Sequence, residues 1–229
     1  MRVSALAVFF QILRELLLGS AKIDALKLPI VRRAITRARY QGFAREAGSR
    51  SPAFTVLPDE RGLTTEAITH NIDPKWMFYP GFADRPDLIT SPLSALNSVI
   101  QNGHRMRVLI VGARTEAEAL SFMKIGFLNS NITSCDLFSY SPTIELANLV
   151  TLPYRQDQFD IVVLGWVLEF VTDLASAISE ALRVLAPDGL VAVGAMYHPE
   201  SQASNAHAHR EVGKDRVWNP RSATEILAA

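Results

Sequence analysis

The sequence predicts an α/β fold with a doubly wound, mostly parallel sheet and a helical extension at its amino terminus. Two observations carry this prediction. Short apolar runs rich in β-branched residues, such as MRVLIV at 106–111 and FDIVVL at 159–164, alternate with amphipathic stretches. Strands buried on both faces have this continuous apolar character, and their alternation with helices is typical of a parallel sheet. The first fifty residues differ, because they are basic and follow a helical period.

The order of the elements indicates a Rossmann-like core. Thr115 is placed to cap the helix that follows the first strand. NITSCDL at 131–137 is the next strand, and residues 175–185 form a helix with one apolar side. A Pro-Asp-Gly turn precedes the last strong strand at 190–196. Ligands of such sheets bind at the carboxyl ends of the strands, which here are the loops at 112–115, 136–140, 165–169 and 196–199.

The extension, residues 1–47, is predicted to form two amphipathic basic helices. In the first, residues 3–18, the uninterrupted apolar run of six residues is too short for a secretory or membrane-spanning segment. The second begins near Pro29. Its apolar side is Ile30, Val31, Ala34, Ile35 and Ala38, and its other side is Arg32, Arg33, Thr36, Arg37 and Arg39.

Charge is distributed unevenly along the chain. Residues 1–50 carry ten Lys and Arg against three Asp and Glu, a net charge of +7, and residues 51–229 carry −7. This contrast favours basic helices that cover the core and keep a solvated basic face. Peripheral contact with a membrane, contact with an acidic substrate and a targeting role are the alternatives.

Composition excludes several other classes of protein. The whole chain has no net charge and no nucleic-acid reader motif, so no nucleic-acid partner is predicted. Cys135 is the single cysteine, which argues against a disulfide-stapled secreted scaffold. No GxGxxG turn or GxxxxGK[ST] loop indicates a nucleotide enzyme. Six prolines between residues 52 and 92 predict an irregular connector and cap at 48–100, which leaves 101–229 as the core domain.

The core segments carry a family resemblance. VLIVGART, CDL, LPYRQDQFDIVVLGWVLEFVTD and ALRVLAPDGLVAVGAMY, in that order, resemble the class I S-adenosylmethionine-dependent methyltransferases of the small-molecule type. The resemblance spans residues 105–197, about 40% of the chain. It implies S-adenosylmethionine as cofactor and methyl transfer to a small-molecule or glycan-type acceptor. We expect the protein to be cytoplasmic, with peripheral membrane contact through its amino-terminal helices as a secondary prediction.

The resemblance also implies where the cofactor would lie. The turn of Gly112, Ala113 and Arg114 would pass under its methionine part, and Gly112 would allow close backbone approach. Asp136 would accept hydrogen bonds from both ribose hydroxyls, or alternatively only cap its strand. The adenine and the pocket wall would involve Leu137, Asn148, Leu149 and Trp166, although core packing is the alternative for Leu137 and Trp166.

Three features depart from the family pattern. Only Gly112 remains of a turn that is usually rich in glycine, and Arg114 could either pair with the methionine carboxylate or fill the space and exclude the cofactor. Fifteen residues separate Asp136 from Leu152, too few for the usual helix and strand, so the adenine side is expected to be either open or rebuilt from Phe138 and Tyr140. The thirty-three residues after Met196 show no counterpart of the family's final hairpin. Either the chain is trimmed, or a second subunit or the amino-terminal helices cover that sheet edge.

The catalytic residue is left unassigned. His198, directly after the last strand, is a weak candidate for a general base. His207 and His209 lie in a polar stretch, and no metal site is predicted. Two functions stay open: a methyltransferase, or a catalytically inactive methyltransferase-like scaffold that binds a protein partner.

Overall fold

The computed structural model describes residues 25–57, 71–79, 81, 84–171 and 173–195. Several predictions fall outside these residues: the helix at 3–18, the three candidate histidines, and the segment after Met196. The described strands are β1 (Thr55–Val56), β2 (Val108–Val111), β3 (Ile132–Asp136), β4 (Phe138–Ser139), β5 (Ile144–Leu146), β6 (Phe159–Gly165) and β7 (Leu185–Gly194). The described α-helices are α1 (Pro29–Glu46), α2 (Pro74–Met77), α3 (Asp87–Leu93), α4 (Asn97–Asn102), α5 (Ala117–Met123) and α6 (Leu174–Val184).

Five parallel strands form the central sheet in the order β5–β3–β2–β6–β7. The chain builds outward from β2 to β3 and β5, then returns to the other side of β2 with β6 and β7. The strand order therefore reverses between β2 and β6, and the crevice between their carboxyl ends is where such a sheet binds ligands.

Apolar layers cover both faces of the sheet, which confirms the doubly wound α/β prediction. On one face Leu109 and Val111 pack with Ala177 of α6. On the other face Ile110 packs with Ile89 of α3 and with Phe122 of α5. Successive residues of β2 point to opposite faces, so one buried strand supplies both layers.

Arginines of helix α1 help to dock it on the core, and the predicted solvated basic face is observed only in part: Arg37 and Arg39 are exposed, whereas Arg32 is buried. Arg32 is 2% exposed, whereas Ile30, which the sequence assigned to the apolar side, is 68% exposed. Arg39 pairs with Glu116 at 3.2 Å, and Arg33 lies 3.7 Å from Asp84. The opposite charges of the two parts of the chain therefore meet inside the molecule.

The connection between β3 and β5 has no helix, as the short spacing indicates. Residues 137–143 make the crossover, fewer than the dozen or so that a parallel connection normally needs. The connection contains β4, which pairs antiparallel with β1. A small two-stranded sheet thus stands where a crossover helix is usual.

Two sequence expectations about local structure need correction. The connector at 48–100 contains α2, α3 and α4, and Pro92 lies inside α3 near its end. The last strand begins at Leu185, because Leu185 pairs with Phe159 while Leu190 already pairs with Ile161. The Pro-Asp-Gly turn is therefore a bulge within β7. No α-helix among the described residues is long and apolar enough to cross a membrane.

Candidate active site

A cavity lies at the reversal point, between the carboxyl ends of β2 and β6. Its interior volume is about 10 Å³, room for roughly one water molecule, and it opens toward solvent. Its walls include Ile89 from α3 and Phe122 from α5. Gly112 and Trp166 border it from the loops that follow β2 and β6, and Gly165 borders it from the end of β6.

The turn after β2 requires glycine at its first position. Gly112 has φ +80°, a conformation that residues with a side chain rarely adopt. A Cβ at this position would lie 3.1 Å from the Cβ of Val167, so the turn and the loop after β6 approach as closely as their backbones allow. The N–H groups of Gly112 and Ala113 both donate to the carbonyl of Cys135, at 2.9 and 3.1 Å.

Trp166 is held in a left-handed backbone conformation at the edge of the cavity. Its φ is +58°, which is unusual for a bulky residue, and its N–H donates to the Gly194 carbonyl at 2.7 Å. A Cβ on Gly194 would lie 3.0 Å from the indole, so Gly194 leaves room for the ring. The guanidinium carbon of Arg85 lies 4.3 Å from the centroid of the ring. This cation–π contact forms one wall of the cavity.

Charged side chains cluster along the same edge of the sheet. Burial raises the pKa of Asp136, at the end of β3, to about 7, although the Leu137 N–H that donates to it at 2.7 Å favours the carboxylate. Burial also raises the pKa of Glu118, and Arg85 and Arg114 partly offset this effect. Two carboxyl groups and two guanidinium groups therefore share a poorly solvated region.

Arg114 stands beside the cavity rather than inside it. It donates to the side-chain oxygen of Asn71, and burial lowers its pKa against the attraction of Glu118 and Asp136. Arg114 is not among the residues that line the cavity, so its bulk leaves this space open. Its placement between Glu118 and Asp136 is on the side predicted for the ribose.

The side chains of the predicted adenine residues are largely engaged in contacts within the protein. The side chain of Leu149 is 3% exposed and packs in the core, and the Asn148 side chain accepts from the N–H of Val150 at 3.1 Å. The Asn148 carbonyl also accepts from the N–H of Thr151, at 3.0 Å. Leu137 is partly buried, and its carbonyl accepts from Leu57 at 2.7 Å.

The proposed rebuilding of the adenine side from Phe138 and Tyr140 is wrong. Both side chains are 6% exposed, and both pack against Phe54. The Tyr140 hydroxyl donates to Glu116 at 2.5 Å, so burial and this carboxylate raise the pKa of the phenol. These rings attach the cap to the core instead of facing a ligand.

Two charged residues of the cavity were not identified from the sequence. Arg85 lies in the proline-rich connector, where no periodicity pointed to the sheet. Glu118 lies in the first turn of α5 and reaches the cavity from that helix. For Glu118 the available signal was its position one turn after the loop that follows β2.

Two other ionisable groups of the core have structural surroundings. Asp160 accepts from the Arg107 N–H at 2.6 Å, at the amino-terminal start of β6 and at the opposite end of that strand from Gly165. Burial raises the pKa of the Cys135 thiol to about 12, which keeps it protonated and unreactive. Within the described residues, no group of three or more His, Cys, Asp or Glu side chains could hold a metal ion.

Comparison with known proteins decides the family of this core. Residues 110–193 match the family model described as "Methyltransferase domain", which runs from β2 to β7. These residues form a class I S-adenosylmethionine-dependent methyltransferase domain. The resemblance stated from the sequence is confirmed, and the match supports S-adenosylmethionine as the cofactor of the methyltransferase domain.

Similar proteins cover only parts of the chain. The 2-phytyl-1,4-naphtoquinone methyltransferases of Nostoc sp. strain PCC 7120 and of Trichormus variabilis are each 36% identical to it over 56 residues. That stretch is 24% of this chain and 24% of each relative, so the chain matches about a quarter of the length of these curated relatives.

Among solved structures, the YcgJ protein of Bacillus subtilis aligns with a TM-score of 0.41 and 20% identity, over 57% of this chain and 63% of that one. A putative S-adenosylmethionine-dependent methyltransferase of Methanococcus maripaludis aligns with a TM-score of 0.45 and 12% identity, over 76% and 84% of the two chains.

The described residues at this edge of the sheet fit the chemistry of the cofactor. Gly112 borders the cavity without a side chain, and Asp136 offers an acceptor-only carboxylate, when ionised, to two adjacent hydroxyls. Arg85 and Arg114 are guanidinium groups suited to a carboxylate, and Glu118 is an anion suited to an ammonium or sulfonium group. When bound, the cofactor supplies an electrophilic methyl group on sulfur.

Proposed function

We propose that the protein transfers a methyl group from S-adenosylmethionine to a small-molecule acceptor. The observation that carries the proposal is the cavity at the β2–β6 reversal point, which Gly112, Arg85 and Glu118 line. Asp136 does not line this cavity, but its carboxyl group interacts electrostatically with Glu118, which does. The match of residues 110–193 to the methyltransferase domain supports the same conclusion. Direct displacement at a sulfonium methyl requires mainly alignment of the nucleophile, which a rigid cavity provides.

Each predicted site residue has a proposed role in this function. The turn of Gly112 and Ala113 lies under the methionine part, and Asp136 accepts the ribose hydroxyls. Arg114 stands close to the acid that would hold the ribose, so we assign the methionine carboxylate to Arg85 in preference to Arg114. Trp166 is the wall on the acceptor side. The backbone of Asn148 and Leu149, together with Leu137, faces the adenine. His198 stays an untested candidate for the general base.

The acceptor is proposed to be a small apolar or aromatic molecule. The cavity wall combines the indole of Trp166 with the aliphatic Ile89 and Val163 and the ring of Phe122. The curated relatives, which share 36% identity over 56 residues, are named for a naphthoquinone that carries a phytyl chain. Quinols with and without such a chain are therefore the first acceptors to try, with a glycan as the second class.

The test is release of S-adenosylhomocysteine from S-adenosylmethionine in the presence of a panel of quinols, phenols and glycans. We expect acceptor-dependent release by the wild-type protein that is lost in Asp136→Ala. Asp160→Asn is the matched control, because this carboxylate lies at the start of β6, away from the cavity. Cofactor binding with no release for any acceptor would favour the inactive scaffold, and absence of binding would contradict both cofactor and function.

Contact with a membrane stays a secondary proposal. Arg32, Arg33 and Arg39 are engaged with carboxylates of the core, so a membrane would have to meet other parts of residues 1–47. Flotation of the full chain with anionic and with neutral liposomes tests this contact. Binding that requires anionic lipid would support it, and equal absence from both vesicle fractions would remove it. The predicted cytoplasmic location and homo-oligomer stay predictions.

A further inference from the structure

Behind the cavity lies a cluster of three charges that joins three helices. Arg32 of α1 donates to Asp87 at 2.5 Å, and the ammonium of Lys124 lies 2.6 Å from the other oxygen of the same carboxylate. The side chains of Arg32 and Lys124 are 3% and 13% exposed, and that of Asp87 is 26% exposed. Such poorly solvated pairs are sensitive to the loss of either partner.

Arg32 is itself fixed by the backbone that precedes its helix. Its other terminal nitrogen donates to the carbonyl of Leu26 at 2.5 Å and more weakly to that of Lys27 at 3.3 Å. Leu26 in turn packs with Ile35 of α1 and with Leu120 of α5. The guanidinium therefore reaches Asp87 in a fixed orientation, rather than as a mobile surface charge.

The carboxylate at the centre of the cluster connects the two walls of the cavity. Asp87 is the first residue of α3, and a tight turn joins it to Arg85. In this turn the Asp87 N–H donates to the backbone carbonyl of Asp84 at 2.9 Å, and the Leu88 N–H donates to that of Arg85 at 3.0 Å. Arg85 and Ile89 line the cavity on this side. Lys124 ends α5, the helix that supplies Glu118 and Phe122 to the opposite wall.

We infer that Asp87 is a positioning residue, which through Arg32 and Lys124 sets the separation between the α3 and α5 walls of the cavity. This separation in turn determines how Arg85 stacks on Trp166 and how tightly the cofactor binds. This inference rests on the proposed function, since it assigns cofactor binding to this cavity. It gives the basic helix α1 a role in the site, although no residue of α1 lines the cavity. Displacement of a site by about 1 Å can reduce activity about a hundredfold, so a clamp of this kind is functionally significant.

The experiment uses the full chain with Trp76 and Trp218 replaced by phenylalanine, so that Trp166 is the single tryptophan and is excited selectively over the five tyrosines. Acrylamide quenching then reports access to Trp166 without any ligand, and calorimetry reports the affinity for S-adenosylhomocysteine. The variants are Asp87→Asn, Lys124→Met and the conservative Lys124→Arg, with Asp160→Asn as an ion-pair control at the opposite end of the sheet.

We expect Asp87→Asn and Lys124→Met to increase quenching of Trp166 and to weaken binding about tenfold, a smaller loss than a full 1 Å displacement gives. Lys124→Arg should retain both wild-type values, and Asp160→Asn should change neither. If Asp87→Asn does not fold, Lys124→Met decides, because it leaves the Arg32–Asp87 pair in place.

Wild-type quenching and wild-type affinity in a folded Lys124→Met protein would overturn the inference, as would increased quenching with unchanged affinity. Failure of the wild-type protein to bind S-adenosylhomocysteine would contradict the proposed function instead. The quenching comparison would then still decide whether Asp87 positions the cavity walls.

Discussion

Replacement of Asp136 by asparagine is expected to stabilise the protein at high pH while weakening its site. The carboxyl pKa is raised from an ordinary 3.8 to about 7, chiefly by burial. The native state therefore retains a proton that the unfolded chain releases between about pH 4 and pH 7, so stability falls as pH rises through this window. The difference in pKa corresponds to at most about 4 kcal/mol at pH 8, and the partial exposure of the side chain reduces the expected value to about 2 kcal/mol.

Urea unfolding of the wild-type and Asp136→Asn proteins at pH 5 and pH 8 measures this effect. The amide can still accept from the Leu137 N–H, so packing is preserved and only the ionisation is removed. We expect the free energy of unfolding of Asp136→Asn, relative to that of the wild type, to be higher at pH 8 than at pH 5. Asp160→Asn should show no such difference between the two pH values. An equal pH dependence of wild type and Asp136→Asn would refute the reasoning that Asp136 is a strained, poorly solvated carboxyl group.

Three further predictions concern the same region. Hydroxyl groups that donate to Asp136 favour its ionised form, so S-adenosylhomocysteine should bind more tightly at pH 8 than at pH 6 and should release protons on binding. Titration calorimetry in two buffers detects this release, and pH-independent binding would contradict the ribose assignment. Gly112→Ala should lower the free energy of unfolding by about 1–3 kcal/mol and weaken cofactor binding. Gly126→Ala, which is also at positive φ (+101°) but has open space around it, should lower the free energy of unfolding less and leave binding unchanged. Equal losses in the two variants would exclude the contact with Val167 as the cause. Tyr140→Phe should lower the free energy of unfolding by about 1–3 kcal/mol, because it removes a hydrogen-bond donor from buried Glu116, and it should retain cofactor affinity. Loss of affinity in this variant would show that Tyr140 contributes to cofactor binding.

The strands of the core were predictable because their sequence signal is local. Strand β6 was expected at 159–164 and is observed at Phe159–Gly165, since an uninterrupted apolar run of this length is compatible with a strand buried on both faces. Helix α6 was expected at 175–185 and is observed at Leu174–Val184. The absence of a helix between Asp136 and Leu152 was also evident from their spacing alone, whereas strand β5 was not predicted.

The walls of the cavity could not be predicted in the same way, because long-range charge pairs assemble them. In the sequence Arg32 resembles a solvated helix residue, and only the fold shows that its guanidinium donates a hydrogen bond to Asp87, 55 positions later. Arg85 lies in a proline-rich stretch without periodicity, so its stacking on Trp166 has no local signal. Tyr140 was misassigned for a related reason: its hydrogen-bond partner Glu116 is 24 residues away, so the sequence carries no local signal of the contact.

The measurement that tests the central claim most directly is calorimetric titration of the purified full chain with S-adenosylhomocysteine and with S-adenosylmethionine. The account predicts micromolar binding of at least one ligand, with thermal stabilisation of the protein, and loss of both in Asp136→Ala. No heat and no stabilisation at millimolar ligand would contradict it. The methyltransferase domain would then be a scaffold whose cavity no longer accepts the cofactor.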